Sequence, residues 1–346
     1  MKDNLIWSYI DEQPDIIKKL LNVDWTSMCN DIPINGIREI LITASGSSLN
    51  AAMIIKPYFI NNLQIEIQII DPFDLRFYSN VLKKNKDEVM LIGISQTGKS
   101  TGTLDCLKEA NTQGITTISL TADATSPIAK ESKFHFDILC GEENVGPKTK
   151  GVCATTMALH ILLMTLTQDA DVNKVMEEYR KSAEELPNII KLVKLWCKKN
   201  KSWAKAKGVS VIGFGMNNGT AREGALKILE TMQIAVMNYN LEEFMHGPQR
   251  TIVKGSKLVL LDTKGNGATF MKNLIDFSRT KTKDLLVVSN RGLGEINCSN
   301  YPHTSSWVLL MCVCEVLCSY FPEVNGINPS HPIYGNFATN AGTRIK

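Results

Sequence analysis

The second half of the chain holds a carboxylate, ammonium and imidazole set with the residue types for proton transfer. In Thr220-Ala-Arg-Glu-Gly-Ala-Leu-Lys-Ile-Leu-Glu230, residues Glu223, Lys227 and Glu230 stand at i, i+4 and i+7, so a helix sets them on one face. Two readings of that face stay open: an exposed, salt-bridged stripe, or a carboxylate and an ammonium lining a cleft. In the cleft, the carboxylate moves a proton beside a carbonyl while the ammonium holds charge. Sixteen residues on, Leu241-Glu-Glu-Phe-Met-His-Gly-Pro248 puts His246 in a turn. Loops carry site residues more often than helix faces do, although His-Gly-Pro alone leaves a structural role equally open.

A second stretch has the chemistry of an anion site. Val89 to Ile94 is a short apolar run with the length of a buried parallel strand, and it breaks into Ser95-Gln-Thr-Gly-Lys-Ser100. Thr101 to Gln113 follows with helical spacing of Leu104, Leu107 and Ala110. A helix start offers free N–H groups and a positive dipole end, and the hydroxyls complete the shell of a phosphate. A Walker-type nucleotide site is not expected, although Gly93, Gly98, Lys99 and Ser100 fit the GxxxxGK[ST] spacing. A phosphate monoester on a small molecule is the expected ligand, with Lys99 facing solvent.

The elements that must position these groups are those of a soluble globular protein. The chain has 346 residues, 44% hydrophobic and 21% charged, with a formal net charge of +3. That length predicts two domains. Mixed charge argues against a nucleic-acid partner, and Lys83-Lys84-Asn-Lys86, Lys198-Lys199 and Lys201 read as solvated faces. The start resembles no signal peptide, and Trp307 to Phe321, interrupted by Glu315, reads as a buried helix rather than a membrane span. Nine scattered cysteines without a CxxC pair fit a reduced, cytoplasmic protein. His135, His160 and His303 lack acidic or thiol partners at ligand spacing, so they are expected to be structural, with no metal site.

Strand-like runs at Glu39 to Ala44, Ile65 to Ile70, Val89 to Ile94, Gly114 to Leu120 and Phe134 to Cys140 alternate with helical segments, which predicts a parallel α/β sheet. The outline repeats after about 170 residues: 207–215 echoes 39–48, 256–267 echoes 89–100, and 284–289 echoes 115–120. The expected division is a helical lead-in over 1–36, a first domain over 37–170, a helical connector over 171–206 broken only by Pro187, and a second domain with a tail over 207–346. The hydroxyl cradle at Ser95, Thr97 and Ser100 becomes Thr263 and Gly-Asn-Gly in the second copy. Phosphate binding is therefore expected in the first copy alone.

Taken in order, Ser95-Gln-Thr-Gly-Lys-Ser100, Glu223-Gly-Ala-Leu-Lys-Ile-Leu-Glu230 and Glu242-Glu-Phe-Met-His-Gly-Pro248 resemble the sugar isomerase (SIS) domain proteins from about residue 37 to 340. The nearest known types are the isomerase half of glucosamine-6-phosphate synthase and the fructosamine-6-phosphate deglycases. The resemblance implies two tandem SIS domains, each a five-stranded parallel sheet flanked by helices. It implies that Ser95, Gln96, Thr97 and Ser100 hold the sugar phosphate and that Ser47 and Ser48 lie against the sugar. It further implies Glu230 as the base between C1 and C2, Lys227 assisting at the oxyanion, and His246 opening the ring from the neighbouring subunit of a homodimer. Gly146 to Thr156, including Val152, looks like the family's loop beside the substrate with two residues inserted. No cofactor is implied, and the chemistry agrees: a carboxylate tuned by burial and a nearby ammonium suffices.

The chain departs from the synthase at both ends. It starts Met1-Lys2 and enters the sugar domain within about 40 residues, so glutamine hydrolysis is not expected. Thr339 stands where the synthase's Schiff-base lysine would be, and His331, Tyr334 or Asn336 are candidates to line the site instead. Two enzyme readings follow: a phosphosugar aldose–ketose isomerase, acting on an amino sugar with loss of ammonia in one variant, and an Amadori-compound deglycase, which needs no catalytic lysine. A third reading is a non-catalytic phosphosugar sensor. It fits less well, because Glu230 and His246 are present and no helix-turn-helix extension is evident.

Overall fold

The computed structural model describes residues 4–60, 65–298 and 304–345. Among the described residues, ten strands form two separate parallel sheets. The first contains β1 (Glu39–Thr43), β2 (Glu66–Ile70), β3 (Val89–Ile94), β4 (Thr116–Thr121) and β5 (Phe134–Asp137), in the order β2-β1-β3-β4-β5. The second contains β6 (Gly208–Gly213), β7 (Ala235–Asn240), β8 (Lys257–Asp262), β9 (Leu285–Ser289) and β10 (Ile296–Asn297), in the order β10-β9-β8-β6-β7. Numbered within each copy, the two orders are the same. The tandem α/β architecture expected from the repeat is therefore present.

Parallel strands need helical crossovers, and those helices cover both faces of the sheet. Every residue of β1 and β3 is buried accordingly, whereas β2 and β7 lie at sheet edges and stay partly exposed. On one side of the first sheet, Leu41, Leu91, Leu104, Leu107 and Ile128 form a single apolar cluster. The second sheet has its counterpart in Ile212, Phe244, Leu260, Met271 and Val287.

The compact units cut the chain differently from the sequence-drawn boundaries. One comprises Ile16–Glu143, Lys150–Lys174 and Ile333–Lys346 around the first sheet; the other comprises Met1–Asp15, Asn144–Thr149 and Val175–Pro332 around the second. The C-terminal tail, assigned from sequence to the second domain, thus belongs with the first sheet. Its anchors are backbone bonds: Thr101 N–H donates to Thr343 O at 3.2 Å, and Ile345 N–H donates to Lys99 O at 2.9 Å. The expected connector is one helix, Val172–Lys199, followed by a short 3-10 turn. Pro187 lies inside that helix and does not end it.

In the second-sheet unit, helix Met216–Met232 packs along helix Ser306–Val324. The approach is close at Gly224, where an added Cβ would lie 2.5 Å from Cys314 Sγ. Helix Ser306–Val324 is long and apolar enough to cross a membrane, but 83% of its apolar window is buried inside the protein. It runs longer than the stretch read from sequence and is a core element. All nine cysteines are buried free thiols.

Candidate active site

In an open parallel sheet, ligands bind outside the carboxyl ends of the strands where the strand order reverses. In the first sheet that point lies between β1 and β3, and the expected phosphate ligands follow those two strands. Ser47 and Ser48 occupy the first turn of helix Gly46–Ile60, directly after β1. Ser95 to Ser100 follow β3, and Ser100 is the N-cap of helix Thr101–Thr112. Two positive helix ends therefore follow the carboxyl ends of adjacent strands.

The loop is held by its own backbone. Gly98 N–H donates to Ser95 O at 2.9 Å, and Ala122 N–H donates to Gln96 O at 2.8 Å. Gly98 has φ +63°, and a Cβ there would meet Ser126 Oγ at 2.0 Å, so only glycine fits this turn. The N–H groups of Gln96, Thr97, Lys99 and Ser100 have no acceptor among the described residues. Unpaired N–H groups beside serine and threonine hydroxyls are the donors that an anion nest requires. Lys99, expected to face solvent, is half-buried, and its carbonyl accepts from Ile345 N–H of the tail.

A residue that drew no attention in the sequence touches this loop. Glu143 Oε2 accepts from Gln96 Nε2 at 2.8 Å and from Gly151 N–H at 3.1 Å, while its Oε1 accepts from Lys150 N–H at 3.1 Å. Glu143 thereby caps helix Lys150–Leu166, the helix that also carries Val152, which is almost wholly buried.

The proton-transfer candidates lie in the second-sheet unit. Glu223 and Lys227 are completely buried, which overturns the exposed-stripe reading of this helix face. Lys227 Nζ reaches Glu230 Oε2 at 2.6 Å and Glu223 Oε1 at 3.4 Å. Burial works against the ammonium, but the two carboxylates outweigh it and hold Lys227 above the ordinary lysine range. The Glu230 side chain retains 32% exposure, so it is the member of the row that solvent or a ligand can reach. A carboxylate accessible on one side and tethered to a fixed ammonium on the other can accept and return a proton.

His246 ends helix Leu241–Met245. Gly247 (φ +138°) and Pro248 then turn the chain away. The imidazole is 70% exposed, with Nε2 3.0 Å from Glu242 Oε1. His331, Tyr334 and Asn336 are exposed, and Thr339 sits in the short helix Phe337–Asn340. His160 is buried between Tyr58 and Phe59, and burial pushes its pKa down to about 3. His135 bonds Ser119 Oγ at 3.0 Å, and burial lowers its pKa too. His303 lies outside the described residues. Among the described residues no group of three or more His, Cys, Asp or Glu side chains could hold a metal ion.

The second sheet has its own reversal point, between β6 and β8, and it is built differently. Asp262, wholly buried at the end of β8, accepts Arg291 Nε and Nη2 as well as Ser289 Oγ. An internal ion pair occupies the place where the first copy presents hydroxyls and free N–H groups. This is the physical content of the degeneracy seen at Thr263 to Gly267.

Residues 34–165 match the family model of the SIS domain. The isomerizing glutamine–fructose-6-phosphate aminotransferase of Sulfolobus acidocaldarius is 26% identical over 297 residues, covering 85% of this chain and 48% of that protein. The counterpart in Aquifex aeolicus is 28% identical, covering 73% of this chain and 42% of the relative. The chain thus spans about half the length of the curated relatives it matches. A Clostridium difficile 630 protein provisionally described as a phosphosugar isomerase superposes with a TM-score of 0.87 at 25% identity, covering 98% of this chain and 99% of its own. A Thermotoga maritima glucosamine-6-phosphate deaminase shares the fold, with a TM-score of 0.73 at 21% identity over 93% of this chain and 98% of that one.

Proposed function

We propose that this chain, whose residues 34–165 match the SIS domain and whose two parallel sheets share one strand order, is a phosphosugar isomerase acting on a sugar or amino-sugar 6-phosphate. The observation that carries this reading is the Lys227–Glu230 contact at 2.6 Å, with Glu230 partly exposed and Lys227 anchored from behind by buried Glu223. A proton α to a carbonyl is weakly acidic, and its transfer between C1 and C2 needs one positioned carboxylate that returns what it takes. Glu230 has that role. Lys227 supplies fixed positive charge for the enediolate oxygen that develops as the proton leaves.

The hydroxyls of Ser47, Ser48, Ser95, Thr97 and Ser100, with Gln96 and the free loop N–H groups, take the phosphate and the sugar end. Val152 lies in the buried first turn of helix Lys150–Leu166 rather than in a loop, and it backs the substrate segment from within the core. His246 opens the ring, and its exposed imidazole is available to a neighbouring copy in a homodimer. The relatives named for fructose-6-phosphate amination support a C6-phosphorylated ketose or amino sugar as the substrate class. Because Thr339 offers no amine, a second reading is a deglycase acting on a 6-phosphofructosyl amine, a substrate that already bears nitrogen at C1.

A product assay separates these readings. The protein is incubated with fructose 6-phosphate plus ammonia, with glucosamine 6-phosphate, and with 6-phosphofructosyl-lysine. Consumption of either of the first two supports the isomerase, and consumption of the third alone supports the deglycase. If none is consumed while fructose 6-phosphate binds, the catalytic reading falls in favour of a sensor.

A further inference from the structure

We propose that Glu143 is a positioning residue for the phosphate loop: it clamps the Gln96 side chain and discharges the helix end that would otherwise compete for the anion. The inference deepens the preceding reading, and its substrate half rests on it.

The Gln96 carboxamide is held from two sides. Its Nε2 donates to Glu143 Oε2 at 2.8 Å. It also lies flat on Gly151, where an added Cβ would come within 2.1 Å of Nε2 and 2.3 Å of Oε1. A flipped amide would turn Oε1 against the carboxylate, so one orientation alone is compatible with Glu143. The Gln96 carbonyl is pinned separately by Ala122 N–H at 2.8 Å. In a trans peptide the C=O and the following N–H point in opposite directions, so fixing the Gln96 carbonyl fixes the direction of the Thr97 N–H. Side chain and main chain of Gln96 are therefore set by different partners, and Glu143 holds the side chain by its shortest bond, with Cys140 Sγ a weaker acceptor 3.7 Å from Nε2.

The second action is electrostatic. Helix Lys150–Leu166 has 17 residues, and its first N–H groups are a ready anion site. Glu143 uses both oxygens on Lys150 N–H and Gly151 N–H and is itself 5% exposed. That helix end already holds a carboxylate. The helix starts after β1 and β3 hold no such carboxylate among the described residues, which favours the phosphate at Ser95 to Ser100.

Two variants and two readouts test this. Glu143→Gln keeps the size of the side chain, but its amide N–H₂ faces the N–H donors of Gln96 and the helix. Gly151→Ala displaces the Gln96 carboxamide sterically while leaving Glu143 in place. In the ligand-free protein, amide hydrogen exchange of residues 96–100 should quicken about ten-fold or more in both variants, with the thermal midpoint held within a few degrees. Unchanged exchange in a folded Glu143→Gln protein overturns the positioning role whether or not the protein binds a phosphosugar. In the substrate arm, fructose 6-phosphate is the probe and non-phosphorylated fructose the control. Glu143→Gln and Gln96→Ala should each weaken fructose 6-phosphate binding about ten-fold, leave fructose unaffected, and show no further loss when combined. Independent losses that multiply in the double variant refute the coupling. If wild-type protein fails to bind fructose 6-phosphate, the functional reading falls, while the exchange arm still decides the role of Glu143.

Discussion

Replacing Lys227 by methionine should unfold more of this protein than replacing Glu230 by glutamine, although only the second residue is proposed to act on substrate. Lys227 is wholly buried, with one carboxylate at 2.6 Å and another at 3.4 Å. At an effective dielectric of about 20, each such contact is worth roughly 5 kcal/mol before desolvation is subtracted. Lys227→Met fills the space but leaves Glu223 buried without its cation. Stranding a buried charge in this way costs about 3–5 kcal/mol. Glu230→Gln leaves Lys227 paired with Glu223 and supplies an amide oxygen in place of the carboxylate, so the loss should be about 1–1.5 kcal/mol. In urea the first variant should lower the unfolding midpoint by on the order of 1–2 M, and the second by a few tenths. Turnover should then separate the roles in the other direction, with Glu230→Gln folded, able to bind phosphosugar and inactive. Equal stability losses in the two variants would refute the buried-anchor argument. Substantial turnover by Glu230→Gln would refute the base assignment.

Ser95→Ala combined with Thr97→Ala should weaken phosphosugar binding several-fold or more, since a hydrogen bond to a charged group is worth about 1.5–3 kcal/mol; unchanged affinity in a titration would remove these hydroxyls from the site. Mixing inactive Glu230→Gln and His246→Ala proteins should restore some activity through hybrid dimers, and no recovery despite proven subunit exchange would count against a site shared between copies. Acid should destabilise the first-sheet unit through His160. Its folded pKa of about 3 lies below the unfolded value near 6.5, so the neutral ring contributes stability above pH 6.5 that is lost as pH falls toward 3, up to about 5 kcal/mol. His160→Phe should flatten that part of the stability profile, and an unaltered acid limb in chemical denaturation would refute the assignment.

Most of the fold was legible because buried parallel strands are short, β-branched and apolar. β1, β3, β4, β6, β8 and β9 all announce themselves in this way. β7 did not: Ala-Val-Met-Asn-Tyr-Asn is an edge strand with little burial, so no apolar run marks it. β10 has two residues and no pattern to read. The i, i+4, i+7 spacing placed Glu223, Lys227 and Glu230 on one face, yet spacing is identical for a solvated row and a buried one. What decides is the close approach of helix Ser306–Val324 at Gly224, about 90 residues away in sequence. Glu143 escaped notice for a related reason. Its partners are two helix-start N–H groups and a glutamine 47 positions earlier, none of which leaves a motif. The tail was assigned by proximity in sequence, whereas backbone bonds at Lys99 and Thr101 determine where it lies.

That tail has a consequence for how the protein is made. Thr101 Oγ1 donates to Gly342 O across 241 positions, and the isolated bridge pairs Ser100 with Arg344. The five strands of the first sheet all lie before residue 138 and can assemble while the ribosome is still elongating the chain. The contacts at the edge of the phosphate loop cannot form until residues 342–345 have emerged. Contacts of such long range are slow to form. A nascent chain should therefore carry a finished first sheet with an unfinished anion nest until residues 342–345 have emerged.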